Sequence, residues 1–309
     1  MFIDFLLISI VKIFQQIIRI LPEYLKQGTG EFIGKAAYFI LRGRRKIALS
    51  NIKRVFKNLD DKKIEGIAKG FFKKMGVNLI EMLAIPYIPK SEYSDRFTVQ
   101  NRHYIDNALK LNKGALVLIF HYTNWEIMGV ASYSLANDIV VLARPLKKHK
   151  YINNFLNKIR NATGLQIIPN ADTAKEVMRH LKANKIIGIL ADQREKRSRG
   201  VFVELFGEKV PTSKGITAIG MKTGAPVIPM YFERQGFLRY RIVWNEPLDM
   251  ERNGSIEELI YRNTRKINAF LEKIILRNPD EWFWVHRRWG RKNRRRKEKT
   301  KIKITQQIN

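Results

Sequence analysis

The sequence contains no cysteine, and acidic residues are scarce: 28 Asp and Glu stand against 58 Lys and Arg in 309 residues, a formal net charge of +30. The lack of thiols excludes disulfide frameworks, thiolate nucleophiles, iron–sulfur clusters and cysteine-based zinc sites. HExxH, EF-hand, Walker A and GxGxxG motifs are also missing, so no metal or nucleotide cofactor is expected. The hydrophobic fraction of 45% is enough for a packed core, which excludes general disorder.

The excess of positive charge requires a polyanionic partner: nucleic acid, an anionic membrane surface, or an acidic carrier or substrate. Between Arg287 and Lys303 there are eleven Lys or Arg residues and one Glu, so a third of the net charge lies in this short segment. We predict a basic disordered tail over residues 291–309. The rest of the charge is spread over the chain and needs a second explanation.

Residues 1–21 are mostly apolar, and we predict that they form a membrane-anchoring helix. Ser9, Lys12, Gln16 and Arg19 recur at helical spacing and form one polar stripe. This pattern fits a helix lying in the membrane interface, and the length also fits a tilted span. A buried core helix is the third alternative. No small-residue cleavage site follows, so a removed signal peptide is not expected.

Residues 22–90 are predicted to form a basic, helical, membrane-proximal region. Three helices are expected over residues 28–85, with boundaries near Gly43 and Asp60. Basic residues dominate their polar faces. Because the same sign recurs on successive helices beside an apolar segment, this pattern favours an anionic lipid surface as a partner.

The pattern changes after about residue 97, where apolar runs of strand length alternate with helical stretches. The runs are ALVLIF (115–120), DIVVLA (138–143), KIIGILA (185–191), APVIPMYF (225–232) and LRYRIVW (238–244). A long helix follows, from a capping box at Ser255 and Glu258 to Arg277. Over residues 91–290 we therefore predict an α/β domain with a largely parallel or mixed sheet flanked by helices.

One sequence pattern in this domain indicates chemistry. The first long apolar run ends at His121, and Glu126 follows five residues later. If His121 closes a strand and Glu126 opens the next helix, the loop can bring the two together outside the carboxyl end of the strand, where α/β sheets bind ligands. A carboxylate then orients the imidazole, which acts as a general base. Alternatively, Thr123 and Glu126 form a capping box without a catalytic role.

Several further segments follow in order: Ala143-Arg144-Pro145, Asp192-Gln193, GVFVELFGEKVPTSKG (200–215), KTGAPVIP (222–229) and EWFWVHRRWG (281–290). Together with IFHYTNWE, they resemble the lipid A biosynthesis acyltransferase family, within the lysophospholipid and glycerol-phosphate acyltransferase superfamily. The resemblance runs from the N-terminal helix to about Trp289. The tryptophans in the last segment are either an interfacial anchor or part of the core.

The resemblance implies transfer of a fatty acyl chain from a thioester donor to a hydroxyl of a membrane glycolipid, a lipid A precursor. The implied donor is acyl carrier protein, with coenzyme A as the alternative, and the implied location is the cytoplasmic face of a bacterial inner membrane. His121 matches the catalytic histidine and Glu126 its acidic partner. Arg144, Asp192 and Asn124 are the expected substrate-binding residues.

The chain departs from the family pattern at Thr123, where glycine is common, and at Ala143, where an aromatic residue is common. The threonine matters more, because a β-branched residue adopts fewer loop conformations than glycine.

The sequence offers no cysteine and no Gly-x-Ser-x-Gly elbow as a covalent nucleophile, which favours direct attack by the acceptor hydroxyl. Backbone amides near Trp125 or the Arg144 side chain are both candidates for the oxyanion donor. Two other functions remain open at this point: a basic nucleic-acid-binding protein, and a non-catalytic lipid-binding member of the family. Because the ordered segments favour the transferase, no nucleic-acid partner is expected.

Overall fold

A computed structural model describes residues 2–135, 139–143, 149–169 and 173–290. The predicted tail over residues 291–309 lies outside these ranges. The helices are α1 Phe2–Ile20, α2 Glu23–Ile40, α3 Arg42–Val55, α4 Asp61–Ala84, α5 Tyr93–Arg96, α6 His103–Leu109, α7 Val130–Leu135, α8 Lys150–Ala162, α9 Thr173–Lys182, α10 Gly215–Thr223 and α11 Ile256–Arg277. The strands are β1 Phe97–Gln100, β2 Ala115–Ile119, β3 Ile139–Ala143, β4 Leu165–Pro169, β5 Ile186–Leu190, β6 Gly200–Leu205, β7 Glu208–Ser213, β8 Val227–Gly236 and β9 Arg239–Trp244.

Seven of these strands form one sheet, in the order β1-β9-β8-β2-β5-β3-β4. Strands β8 and β9 pair antiparallel, and every other neighbouring pair in this sheet is parallel. Alternate residues of β2 enter two different hydrophobic clusters, each of which also contains helix residues. Helices therefore cover both faces of the sheet, as expected for buried parallel strands. The predicted α/β fold with a largely parallel or mixed sheet is confirmed.

The helix boundaries follow signals that are visible in the sequence. Helix α2 ends three residues before Gly43, and Asp60 caps α4 by accepting a 2.8 Å hydrogen bond from the Lys63 amide. At the start of α11 the predicted capping box is present: the Ser255 hydroxyl accepts from the Glu258 amide, and the Glu258 carboxylate accepts from the Ser255 amide. Both caps satisfy amide groups that a helix leaves unpaired at its first turn.

Glycines let α2 and α4 pack backbone against backbone. A side-chain carbon on Gly34 would overlap the Phe72 carbonyl, and one on Gly76 would overlap the carbonyl of Gly30. Larger residues here would force the two helices apart. This close contact fixes α4, which carries Asn78 and Glu81 toward the loop after β2.

Helix α1 buries one face and exposes another. Ile8 and Ile18 are buried, and the Gln15 amide donates to the Leu83 carbonyl over 3.0 Å. Ile13 is 65% exposed and Ile20 80% exposed, so the alternative of a fully buried helix is wrong. Within the described ranges, no helix is long and apolar enough to cross a membrane. The predicted helix is present, but its membrane-spanning form is not supported.

The sequence pattern missed four strands. Strands β6 and β7 form a separate antiparallel hairpin, and β1 and β4 are short. Polar residues interrupt β1 and β4, and β7 is mostly polar and contains proline, so the strand pattern of these three is weak. Strand β6 is mostly apolar, but its partner is β7. Their pairing is decided by tertiary contacts rather than by local pattern.

Candidate active site

The register of β2 and β5 brings a histidine and an aspartate together. Ile119 and Leu190 are partners in this parallel pair, and both strands end there. His121 and Asp192 each lie two residues further along, so they emerge side by side at the same edge of the sheet. Ligands bind at this edge in open α/β sheets.

Asp192 holds the His121 side chain in a fixed orientation. His121 Nδ1 lies 2.7 Å from Asp192 Oδ1, and the His121 amide donates to Asp192 Oδ2 over 3.0 Å. Trp282 Nε1 donates to the same Oδ2 over 2.8 Å. An ionised carboxylate at Nδ1 makes that nitrogen the donor and leaves the Nε2 lone pair free to accept a proton.

The two side chains stabilise each other's charged forms. Burial opposes the charged imidazolium, but the charge and hydrogen bond of Asp192 outweigh it, so the pKa of His121 is raised. Burial also opposes ionisation of Asp192, yet the charge of His121 and the hydrogen bonds from His121 and Trp282 lower its pKa. Asp192 is therefore ionised at neutral pH and serves as the electrostatic partner of the imidazole.

The other ring nitrogen of His121 faces a polar side chain and two aromatic rings. Gln193 is exposed, and its Nε2 lies 3.0 Å from His121 Nε2. The rings of Trp125 and Phe283 lie 5.0 and 6.0 Å from the imidazole, and 5.4 Å from each other. Nε2 is thus the ring nitrogen that faces away from Asp192.

A segment after α11, residues 281–288, lies across the histidine loop; we call it the strap. The Phe283 amide donates to the His121 carbonyl over 2.9 Å, the Thr123 amide donates to the Glu281 carbonyl over 2.8 Å, and Tyr122 forms an antiparallel bridge with Trp282. Trp282 and Trp284 are almost fully buried. Of the two alternatives for these tryptophans, core packing is the one observed.

Glu126 does not contact the imidazole, contrary to the sequence prediction. Its carboxylate forms a two-pronged ion pair with Arg160 of α8, at 2.8 and 3.0 Å, and accepts from Trp125 Nε1 over 3.2 Å. The capping box is also wrong, because the Thr123 hydroxyl donates instead to the Phe232 carbonyl. The loop directs Glu126 toward α8. Asp192 lies beside the imidazole instead, in the position that the sequence predicted for Glu126. A catalytic role for Glu126 stays a prediction.

Thr123 adopts the left-handed conformation that favours glycine, with φ of 54°. Three hydrogen bonds hold it there: its amide to Glu281, its hydroxyl to Phe232, and the Asn78 side chain to its carbonyl. These contacts offset a conformational cost of about 1 kcal/mol. The position where the family commonly has glycine is therefore the position where the loop needs positive φ.

Asn124 belongs to a buried polar network behind the loop. Its amide donates to Glu81 Oε2 over 2.9 Å, and Glu81 also accepts from Arg234, the Leu238 amide and Tyr240. Glu81 is completely buried and Asn124 almost so. The network positions the loop, and Asn124 is held within it rather than at the pocket described next. Of the other predicted substrate residues, Asp192 contacts His121, and Arg144 lies outside the described residues.

A narrow pocket of about 170 Å³ opens at His121 and runs along the edge of the sheet. We call the part lined by the polar residues His121, Glu126 and Arg160 the mouth. The rest of the lining is apolar: Ile119, Trp125, Met128, Val141, Leu142, Leu165 and Leu190. Gly188 of β5 also lines it, and a side-chain carbon there would lie 2.9 Å from Ile119 Cδ1. The missing side chain leaves room for an apolar ligand.

Sequence reasoning missed Gln193 at the imidazole, Arg160 at Glu126 and the hydrogen bond from Trp282. The signal for Asp192 and Gln193 was available: they follow an apolar strand, as His121 does. What the sequence did not reveal is that these two strands are neighbours in the sheet.

Together, the fold and site define an α/β protein with a histidine–aspartate dyad at the mouth of an apolar pocket. The model of the bacterial lipid A biosynthesis acyltransferase family matches residues 2–291, and the chain belongs to this family. It is an O-acyltransferase.

Curated relatives of the chain agree with this class. The chain is 21% identical over 262 residues to a lipid A biosynthesis palmitoleoyltransferase of Escherichia coli, covering 84% of this chain and 83% of that protein. It is 21% identical over 270 residues to a lipid A biosynthesis lauroyltransferase of the same organism, covering 87% and 85%. A phosphatidylinositol mannoside acyltransferase of Mycolicibacterium smegmatis is 23% identical over 228 residues, covering 72% and 74%.

Proposed function

We propose that this acyltransferase moves a fatty acyl chain from a thioester donor to a hydroxyl of a membrane glycolipid, a lipid A precursor, with His121 as general base. The observation that carries the proposal is the fixed imidazole: Asp192 binds Nδ1, and Nε2 lies at the mouth of an apolar pocket. The names of the relatives indicate glycolipid acceptors.

The reaction needs one proton acceptor and no covalent enzyme intermediate. The acceptor hydroxyl gives its proton to His121 Nε2 while its oxygen attacks the thioester carbonyl. Asp192 stabilises the imidazolium that forms. The tetrahedral oxyanion then collapses, the carbon–sulfur bond breaks, and the thiolate takes the proton from Nε2. An ester and a free thiol leave the site.

Two groups in the described structure are positioned to stabilise the oxyanion. The backbone amides of Trp125 and Glu126 donate to no acceptor in the described ranges, and they begin the turn that follows the histidine loop. The Gln193 amide lies beside Nε2. Preorganised donors of this kind are worth several kcal/mol in acyl transfer. Arg144 stays a candidate from the sequence.

The Gln193 side-chain amide occupies the position beside His121 Nε2 that the acceptor hydroxyl has to take in the proposed reaction. In the neutral dyad its amide donates to the Nε2 lone pair, which is the atom that must take the proton. Once the acceptor hydroxyl takes this place, the Gln193 amide is released to donate to the oxyanion, so we expect Gln193→Ala to lower kcat by about tenfold, the worth of one such hydrogen bond. Because this bond stabilises the neutral imidazole, the same change should raise the pKa of His121 in the free enzyme, which an NMR titration of the ring measures. An unchanged titration with unchanged kcat would contradict this role.

The apolar pocket is the proposed binding site for the acyl chain. Its volume of about 170 Å³ and its apolar lining suit an alkyl chain, and because His121 also lines it, a chain bound here would have its thioester carbonyl near the imidazole. Each methylene that enters such a pocket contributes about 0.8 kcal/mol. The depth of the pocket therefore selects the length of the chain.

Gly188→Ala should shorten the acyl chain that the enzyme prefers. The added carbon would press on Ile119 and Val141, whose side-chain ends are 2.9 and 3.0 Å away and can move only into the pocket or the sheet. We expect kcat/KM for the preferred donor to fall about fourfold for each methylene excluded. The measurement is a series of thioesters of increasing length, with Gly66→Ala as control because that glycine is exposed and has open space around it. The same length optimum in both variants would place the acyl chain elsewhere.

The exposed apolar face of the N-terminal helices supports a membrane location. Side chains of α1 and α2 that are at least half exposed include Ile10, Ile13, Ile20, Phe32 and Phe39. Exposed apolar surface on this scale, beside basic helices, is typical of proteins that lie on a bilayer. We place the enzyme at the cytoplasmic face of the bacterial inner membrane, where the basic surface also attracts an acidic acyl carrier protein as donor.

Expression in a bacterial host that lacks its own late acyltransferase tests the proposal. Mass spectrometry of the extracted lipids should show a lipid A precursor that gains the mass of one acyl chain. The gain identifies the chain, and the species that carries it identifies the acceptor. An unchanged precursor together with an acylated lipid of another class would overturn the proposed acceptor and leave the enzyme class intact.

A further inference from the structure

A second concave surface lies on the strap side of the molecule, outside the dyad and the apolar pocket. It is a groove of about 680 Å³ between the α2–α3 junction and the strap. Ile40, Leu41, Arg42 and Arg44 line one side, and His286 and Arg287 line the other. We call it the basic groove. Nothing in the acyl-transfer chemistry described above uses these residues.

The positive charges of the basic groove are not neutralised by the protein. Arg42, Arg44 and Arg287 are exposed, and none of them forms an ion pair with a carboxylate in the described ranges. Among the described residues, no acidic side chain lines the groove. On α3 itself, Lys53 pairs with Asp61 and Arg54 pairs with Glu208, and neither cation lines the groove. Three unpaired arginines around one cavity form a site for an anion, and guanidinium groups match phosphate geometry well.

The rim of the basic groove indicates what carries the anion. Phe39 is 63% exposed, Ile40 73% and Leu41 48%, and these three residues directly precede Arg42. An apolar surface adjoining an unpaired cationic site fits an amphiphile, with chains on one side and a charged head group on the other. A soluble phosphate compound has no apolar part that would contact this rim.

The basic groove is tied to the catalytic histidine through the strap. The Phe283 amide bonds to the His121 carbonyl, and His286 is three residues further on, at most about 11 Å along an extended chain. Asn51 of α3 donates to the carbonyls of Trp284 and His286 over 2.7 and 2.8 Å. An anion in the groove is therefore held at a set distance from the base.

We infer that the basic groove binds a phosphate group carried by a lipid, and that it holds the phosphorylated head group of the acceptor while a hydroxyl of that lipid reaches His121. The second half of this inference rests on the proposed function. Arg42 and Arg287 are recognition residues and take no part in proton transfer.

Vesicle binding by the full chain tests the basic groove without any turnover. The variant Arg42→Gln with Arg287→Gln removes two charges and breaks no side-chain hydrogen bond within the described ranges, where Arg44 alone of the three arginines bonds to the strap. The control is Lys222→Gln with Lys273→Gln, which removes two exposed charges elsewhere. Each protein is sedimented with phosphatidylcholine vesicles that contain either phosphatidic acid or, at equal surface charge, oleate.

The groove variant should bind phosphatidic acid vesicles at least about tenfold more weakly than the wild type, while the control loses much less. Both should bind oleate vesicles similarly. Equal losses in the groove and control variants would show general charge attraction and overturn the inference. An equal loss on oleate vesicles would overturn the phosphate assignment. Competition by inorganic phosphate at millimolar concentration would point to free phosphate instead and overturn the lipid carrier.

Steady-state kinetics then show whether the basic groove binds the acceptor or the donor. If the groove holds the acceptor head group, the groove variant raises KM for a phosphorylated glycolipid by about tenfold and leaves KM for the thioester donor and the dephosphorylated acceptor unchanged. A rise in KM for the donor alone would overturn the assignment to the acceptor. Wild-type enzyme that binds phosphatidic acid through the groove but transfers no acyl chain to any glycolipid would overturn the proposed function and leave the groove standing.

Discussion

His121→Ala should lower acyl transfer by about three orders of magnitude or more while the protein stays folded. The imidazole is the group at the mouth of the apolar pocket that can take a proton at neutral pH, and loss of a general base costs about 10²–10⁴ in rate. The protein should stay folded because the Asp192 carboxylate keeps its hydrogen bonds from the backbone amide of residue 121 and from Trp282. A thioester assay gives kcat, and circular dichroism with thermal melting checks the fold.

His121→Gln is the matched variant for this test. The glutamine side chain keeps much of the volume and hydrogen-bonding capacity of the imidazole but cannot serve as a base at neutral pH. We expect both variants to be equally inactive. Turnover near that of the wild type in a folded His121→Gln protein would mean that another group takes the proton, and the proposed mechanism would fail.

Asp192→Asn should lower kcat by about 10³–10⁴ and move the acid limb of the pH profile to lower pH. The wild-type pKa of His121 is raised, so the base is protonated below that value and activity rises as pH increases through it. Without the carboxylate, burial is unopposed and the pKa of His121 falls. The imidazole would then be neutral at lower pH, but no longer held in the right tautomer, as in catalytic triads that lose their aspartate.

The His121–Asp192 pair also stabilises the folded protein. This stabilisation decreases as pH rises, whereas activity increases. Because the folded-state pKa of His121 lies above its unfolded value, the stabilisation by Asp192 is complete below the unfolded pKa and is lost as pH rises through the folded one. The wild-type advantage over Asp192→Asn in thermal melts should therefore shrink as pH increases through this range.

Glu126→Gln distinguishes the observed partner of His121 from the one expected by spacing. Glu126 bonds to Arg160 and raises the pKa of His121 only through space, after burial and Asp192. The Glu126→Gln change should weaken the contact that holds Arg160 at the pocket mouth. It should also shift the acid limb of the pH–activity profile less than Asp192→Asn does. A larger shift for Glu126→Gln than for Asp192→Asn would make Glu126 the working partner of the base.

Much of the scaffold can be predicted from the sequence because the signals are local. Five of the nine strands, the three helices after α1, and the Ser255 capping box follow from apolar runs and capping residues. Such patterns depend on neighbours within a few positions. The resemblance to a family also identifies His121 from the sequence alone.

The carboxylate that contacts His121 could not be predicted from such local signals, because its identity depends on the order of the strands in the sheet. Two strands, β3 and β4, separate β2 from β5 in the chain, and only the sheet makes them neighbours. Spacing favoured the nearby Glu126, whereas register places Asp192 at Nδ1. Thr123 shows the reverse case: the sequence raised the question of loop geometry there, and the left-handed conformation with its three hydrogen bonds is the physical answer.

The strap also determines when the enzyme becomes active during its own synthesis. His121 and Asp192 are translated well before Trp282 and Phe283, which complete the hydrogen bonds of the dyad and its loop. A ribosome-bound chain with the sheet largely formed therefore still lacks a finished site, because contacts so distant in sequence form late. The enzyme can act on lipid only once nearly all of the described chain has left the ribosome. C-terminal truncation into the strap should abolish activity, because it removes Trp282 and Trp284 from the core and the hydrogen bond from Trp282 to Asp192.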